Sequence, residues 1–301
     1  MNEYKPVNEI GSSFSPSRLI ETIGPWPFTT RRTYLQPDSS RVVWQSRYHR
    51  KGLPVVISAT SEAKTAKLIR CLWMPGKLNW WIGIIFAAGS SLFLIGSLLT
   101  LTPALAQTWS FDATAINRIF FSGSIPFTIA AYLQLFQAAN VAKFSPNGRR
   151  VQRQSIVWFG WRPHAIGWLS CVLQFLGTLF FNINTFDGML PGLGRLQQEL
   201  AIWMPNFLGS VLFLSSGYLA FIETCHTHWA WKPTSISWWV TFINLLGCMG
   251  FMISALFAFV APWATNFDAT TVSVAFTLIG AIGFLIGSLL LLPETAMPAK
   301  P

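Results

Sequence analysis

Six apolar runs, each about as long as a bilayer is thick, dominate this chain: 79–102, 116–141, 165–185, 202–222, 238–261 and 270–292. A helix needs roughly 20 residues to cross the hydrocarbon core. In lipid, only a helix or a closed barrel satisfies its own backbone polar groups. Composition agrees with that solvent, at 52% hydrophobic and 11% charged residues, where a soluble domain carries about a quarter charged. The expected fold class is an all-α integral membrane protein with six transmembrane helices. Pro126 falls inside the second run, where neighbouring helices can satisfy the carbonyl it frees.

Charge divides the chain. Residues 1–78 hold 12 of the 21 Lys and Arg, and the other nine are spread over the remainder. The reading is a cytoplasmic N-terminal segment (1–78), a membrane domain (79–294) and a short cytoplasmic tail (295–301). The start, MNEYKPVNEIGSSF, has no apolar core of a signal peptide. Between the second and third runs lie Lys143, Arg149, Arg150, Arg153 and Arg162; between the fourth and fifth lies Lys232. The opposite loops offer mainly Asp112, Asp187 and Asp268. Basic loops stay in the cytoplasm, so both termini are expected there. Arg118, near the outer end of the second run, can snorkel.

The N-terminal segment reads as mostly irregular, with SRVVWQSRYHRKGLPVVIS suggesting two short extended stretches. Residues 61–74 read as an amphipathic interfacial helix, with Lys64, Lys67 and Arg70 on one face. Such a helix rests on anionic headgroups or packs on the protein's own loops.

An internal pattern subdivides the membrane domain. WMPGKLNW, WRPHAIGW and WKPTSISW share one frame, pairing Trp73 with Trp80, Trp161 with Trp168 and Trp231 with Trp238. Nine residues after each second tryptophan stands a glycine (Gly89, Gly177, Gly247), and four further a phenylalanine (Phe93, Phe181, Phe251). The even runs carry Gly123, Gly209 and Gly280, with Phe127, Phe213 and Phe284 four on, and Gln137, Glu223 and Glu294 fourteen on. A small residue follows each glycine (Ser90, Ser124, Thr178, Ser210, Cys248, Ala281), and Gly283 and Gly287 add a second small pair. Outer loops echo too, with FDAT at 111–114 and 267–270. The reading is three copies of one hairpin, 79–141, 165–222 and 238–292, about an approximate three-fold axis. Pro75, Pro163 and Pro233 are expected at the first helical turns, the tryptophans as interface anchors, and the glycines as close-packing points.

Chemistry-bearing residues are few. Gln174, Asn206 and Asn244 each stand one turn before a central glycine, as cross-helix hydrogen-bonding groups or as a polar intramembrane site. Glu223 and Glu294 end their helices, where the macrodipole disfavours an anion. They read as interfacial carboxylates, hydrated or ion-paired, with the 149–153 cluster and Lys232 as partners. His226 and His228 are weak metal or haem candidates. Cys71, Cys171, Cys225 and Cys248 have no CxxC spacing and read as buried hydrophobes. Nucleotide-binding, zinc-protease and serine-hydrolase motifs are absent from the sequence, so no enzyme, no catalytic residue and no cofactor is expected. The basic charge follows topology, which argues against nucleic acid.

The stretches FAAGSSLFLIGS, FLGSVLFLSSG and LIGAIGFLIGS resemble the YrhK-like bacterial membrane segment, a short two-helix unit. WQSRYHRKG at 44–52 also resembles a stretch preceding such spans in bacterial membrane proteins. The likeness implies a bacterial inner (plasma) membrane setting and supplies no site residues. The expected function is a non-enzymatic scaffold or accessory subunit binding lipid, a hydrophobic ligand, another membrane protein or its own copies. A small channel or transporter between the hairpins is the second reading, and a metal- or haem-binding redox subunit the third. A polar cavity lined by the three amides counts against the first; a dry axis counts against the second.

Overall fold

The computed structural model describes residues 18–37, 39, 41–53, 71–140, 156–259 and 268–296. The expected amphipathic helix at 61–74, apart from its last residues, and the 149–153 cluster lie outside them. Six helices are long and apolar enough to span a membrane: α2 (Leu78–Leu101), α4 (Ala113–Ala139), α5 (Ile166–Asp187), α6 (Arg195–Cys225), α7 (Ile236–Phe257) and α8 (Ala269–Ala296). The short α3 (Pro103–Thr108) joins the first two. The second turn of α6, Gln198–Trp203, is π-helical. The protein is a polytopic membrane protein.

Each spanning helix packs against the next in the chain, and α8 returns to α2, closing a ring of six. Within every hairpin the same reciprocal contact recurs. A Cβ added at Gly89 would meet Phe127 and the Gly123 carbonyl, and one at Gly123 would meet Phe93 and the Gly89 carbonyl. Gly177 and Gly209 exchange the same contacts with Phe213 and Phe181, as do Gly247 and Gly280 with Phe284 and Phe251. Backbones touch where neither helix has a side chain, and each phenylalanine covers the opposite glycine. That is how helices associate when hydrophobicity offers no net drive. Gly283 lies against Gly247, and Gly287 against the Asn244 side chain. The hydroxyls of Ser90 and Ser210 bond back to the carbonyls of Phe86 and Asn206, so they enter the core satisfied.

The frame before each odd span is a turn, which corrects the expectation that its proline begins the helix. Lys77, Ala165 and Ser235 donate their N–H to the carbonyls of Met74, Arg162 and Lys232, two residues after each proline. Pro75, Pro163 and Pro233 therefore occupy the second position of a β-turn, where their fixed φ suits the bend. The helices start three residues later.

The tryptophan pairs also divide. Trp73, Trp161 and Trp231 are 75%, 82% and 62% exposed, whereas Trp80, Trp168 and Trp238 are 4%, 4% and 0%. The second of each pair is a core residue, with its exposed partner edge-on at 5.6, 5.5 and 4.6 Å. Only the first of each pair stays exposed. At the far loops, Asp112 and Asp268 accept from the Ala115 and Thr271 backbones and cap α4 and α8. The FDAT echo is thus a helix-start signal. Asp187 instead closes α5.

The N-terminal region is more ordered than its sequence implies. β1 (Arg18–Ile23), β2 (Arg31–Leu35) and β3 (Arg41–Gln45) form an antiparallel meander. Arg32 pairs with Trp44 across β2 and β3, its guanidinium 5.4 Å from the indole. β3 runs directly into α1 (Ser46–Arg50), one short helix; it supplies one of the two extended stretches expected here, and residues 54–58, the end of that expectation, lie outside the described residues. Gly52, at φ +61°, ends it in the left-handed region that favours glycine.

Candidate functional site

The helix α1 sits in one mouth of the ring and brings three cations inward. Arg47, Arg50 and Lys51 are spaced i, i+3, i+4, which in a helix places them on one face; a strand would split the adjacent pair. All three are buried, as are the two glutamates they meet. Arg47 grips Glu294 with Nε at 3.0 Å and Nη2 at 3.3 Å, and Lys51 Nζ donates to the same carboxylate at 2.5 Å. Arg50 Nη2 donates to Glu223 at 2.7 Å, and Ser46 Oγ to its other oxygen at 2.6 Å. Gln137 Nε2 donates to the Lys51 carbonyl at 3.5 Å, and Tyr48 shares a hydrogen bond with Ser237.

The three residues fourteen positions after each even-span glycine thus all hold one segment. Glu223 and Glu294, at 0% and 1% exposure, are not hydrated interfacial groups. Nor is Lys232 their partner, since its Nζ donates to the Cys225 carbonyl at 3.0 Å.

Formal charges do not balance. Three cations meet two carboxylates, an excess of one in a desolvated place. Burial, then neighbouring Arg47, lowers the Lys51 ammonium to about 7, with Glu294 opposing. Burial also works against the Arg50 charge, but Glu223 outweighs it and holds that guanidinium above its ordinary value.

Inward of α1 lies a cavity of about 60 Å³, lined by Arg47, Arg50, Lys51, Gln134, Gln174 and Asn244, with Ser170, Ser216, Thr241 and Ser288. Its floor includes Phe213 and Phe284. Phe127, Phe213 and Phe284 of the even spans form a closed triangle, with ring centroids 5.6, 5.6 and 6.4 Å apart. Phe251 touches both Phe93 and Phe181, giving a second group from the odd spans. The two groups interlock in one buried cluster. Beyond them a second cavity of about 200 Å³ opens toward the other end, lined by Asn117, Ser124, Asn184, Asn206, Ser254, Thr277 and the phenylalanines. Phe213 lines both cavities.

The expected trio of amides is split by this layer. Gln174 and Asn244 face the α1-side cavity and Asn206 the distal one. The cause is chain direction. One turn before the glycine lies toward α1 on an odd span and away from it on an even span. Phe86 completes the slot on the α1 side, and Phe120 and Thr277 on the distal side.

The histidines do not converge. His226 shares a hydrogen bond with Thr30 at 3.0 Å, and His228 pairs with Tyr218 at 3.3 Å. Burial, then Lys232, lowers His226 to about 4. Among the described residues no group of three His, Cys, Asp or Glu is placed to hold a metal. All four cysteines are buried, and none is in a disulfide.

The residues missed in the sequence are Arg47, Lys51, Arg50, Gln134 and, as a contact, Gln137. The i, i+3, i+4 spacing of Arg47, Arg50 and Lys51 is visible in the sequence, but nothing local ties it to carboxylates on distant helices.

Compared with known families, curated proteins and solved structures, the chain matches none. The fold and site define its class: a six-helix polytopic membrane protein with an axial pair of cavities and a charged segment seated in one mouth.

Proposed function

We propose that the protein is a small channel or transporter, with its route along the axis of the helix ring, in a closed state. The observation that carries this is the pair of cavities along the ring, each with polar side chains in its lining, separated by a buried layer in which the phenylalanines of both sets of spans interlock. Among the described residues the side-chain amides of Gln134, Gln174 and Asn244 have no hydrogen-bond partner; a scaffold has no use for such amides in its interior, where a polar group without a partner is costly. A wholly packed axis would have favoured the scaffold or accessory reading instead. Phenylalanines swing about χ1 without backbone movement, so the divide is of a kind that opens. The reading is non-enzymatic, with α1 and both termini cytoplasmic by the basic-loop rule, in a bacterial inner membrane.

The test is flux through liposomes carrying the purified chain, with a panel of small ions and neutral solutes. Phe213→Ala, which removes the side chain shared by both cavities, is expected to raise permeation of at least one solute about tenfold over the unaltered chain. A folded Phe213→Ala protein that stays tight to the whole panel would reject the axial route.

A further inference from the structure

We propose that the α1-side cavity is a binding site for a small monovalent anion, held by Lys51 and Arg50 with the amides of Gln134, Gln174 and Asn244. The inference deepens the axial reading by naming a substrate class, and it rests on that reading for its part in transport.

The first argument is the sign of the lining. Three cations face the cavity, and neither Glu223 nor Glu294 is among its lining residues. Both carboxylates are already engaged on each oxygen, by Ser46 and Arg50 in one case and by Arg47 and Lys51 in the other. A metal cation would therefore meet positive charge and no open carboxylate.

The second argument is the supply of donors. The hydroxyls of Ser170, Thr241 and Ser288 donate to the carbonyls of Ser216, Ser237 and Phe284. Among the described residues, the side-chain amides of Gln134, Gln174 and Asn244 have no protein hydrogen-bond partner. Three side-chain amides, each with an N–H₂ group to donate, and Lys51 thus line a space whose hydroxyl hydrogens are largely committed elsewhere.

The third argument is size. A space of about 60 Å³ holds roughly two water-sized occupants, given about 30 Å³ per liquid water, and so admits a halide- or nitrate-sized anion with about one water. It has no room for a bulky organic anion.

The unbalanced charge then couples the site to protons. A desolvated net charge is met either by losing a proton or by gaining a counterion. Lys51 is the group that can release one, since its ammonium is lowered to about 7 by burial and then by Arg47. The charged and titratable groups around it are Arg47, Tyr48 and Arg50 on its own segment, Cys171 on α5, Glu223 on α6 and Glu294 on α8. An anion stabilises the protonated lysine, and by reciprocity the protonated lysine strengthens anion binding. Affinity is high below pH 7 and falls above it.

The experiment is chlorine-35 NMR line broadening of sodium chloride by the purified full-length chain in nanodiscs, with sodium nitrate as competitor. The expected result is saturable, nitrate-sensitive broadening at about pH 6 that weakens about tenfold or more by about pH 8.5. Lys51→Met should abolish it, and Lys77→Met, an exposed lysine at the N-cap of α2, should leave it intact. Gln174→Glu places a fixed carboxylate in the cavity, so it should abolish broadening while the protein stays folded, and it serves if Lys51→Met does not fold. Broadening that is absent at low pH, indifferent to pH, or retained in folded Gln174→Glu protein overturns the proposal. Binding as expected without flux through Phe213→Ala liposomes upholds the site and rejects only the axial route. Flux without chloride binding does the reverse.

Discussion

Glu294 is the residue on which most of the buried charge depends. It takes two bonds from Arg47 and one from Lys51, and is itself 1% exposed. Removing one member of a buried ion pair costs roughly 3–5 kcal/mol, because the partner stays desolvated. Glu294→Gln strands two cations and should fall at or above that range, read as a lowered thermal unfolding midpoint in detergent. Limited proteolysis between 18 and 53 should accelerate with it. A variant within about 1 kcal/mol of the parent would mean that water reaches these groups. In the sequence, both glutamates already stood out, since each ends its helix where the macrodipole repels an anion. Their partners did not, because a cation in a short polar stretch 173 residues away in sequence from its carboxylate leaves no local pattern to follow.

At the scale of elements, the spans and their contact points were readable because lipid imposes them. Span length, glycine spacing and the phenylalanine one turn on each follow from what a helix in lipid must do. The proline turns and split tryptophan pairs were harder, since the frame gives spacing without saying which side is covered. The amides were misplaced for a plainer reason: equal offset from a glycine means opposite depth on helices of opposite direction. The glycines themselves are testable. A Cβ at Gly177 would stand 2.6 Å from a Phe213 ring carbon and 3.1 Å from the Gly209 carbonyl. Gly177→Ala should therefore lose about 1–3 kcal/mol through overpacking. Gly76, with nothing within 4 Å of its added Cβ, should tolerate alanine with almost no change. Equal midpoint shifts for the two would show that the hairpin contact has room to spare.

For the whole molecule, Gln137 decides more than its single weak bond suggests. It stands at the position where the other two hairpins place Glu223 and Glu294, all three facing the seated segment. A third carboxylate there would match the three cations one for one. Gln137→Glu should accordingly lose anion binding and its pH dependence, at the cost of the weak bond to the Lys51 carbonyl, and persistence of chloride broadening in the folded variant would contradict the charge count. The same position has a geometric meaning. A mouth of three alike hairpins offers an arriving segment three equivalent rotations. Two acids and one amide leave one rotation that matches. The ring works as a keyed socket, and the neutral residue is the notch that makes the key fit one way.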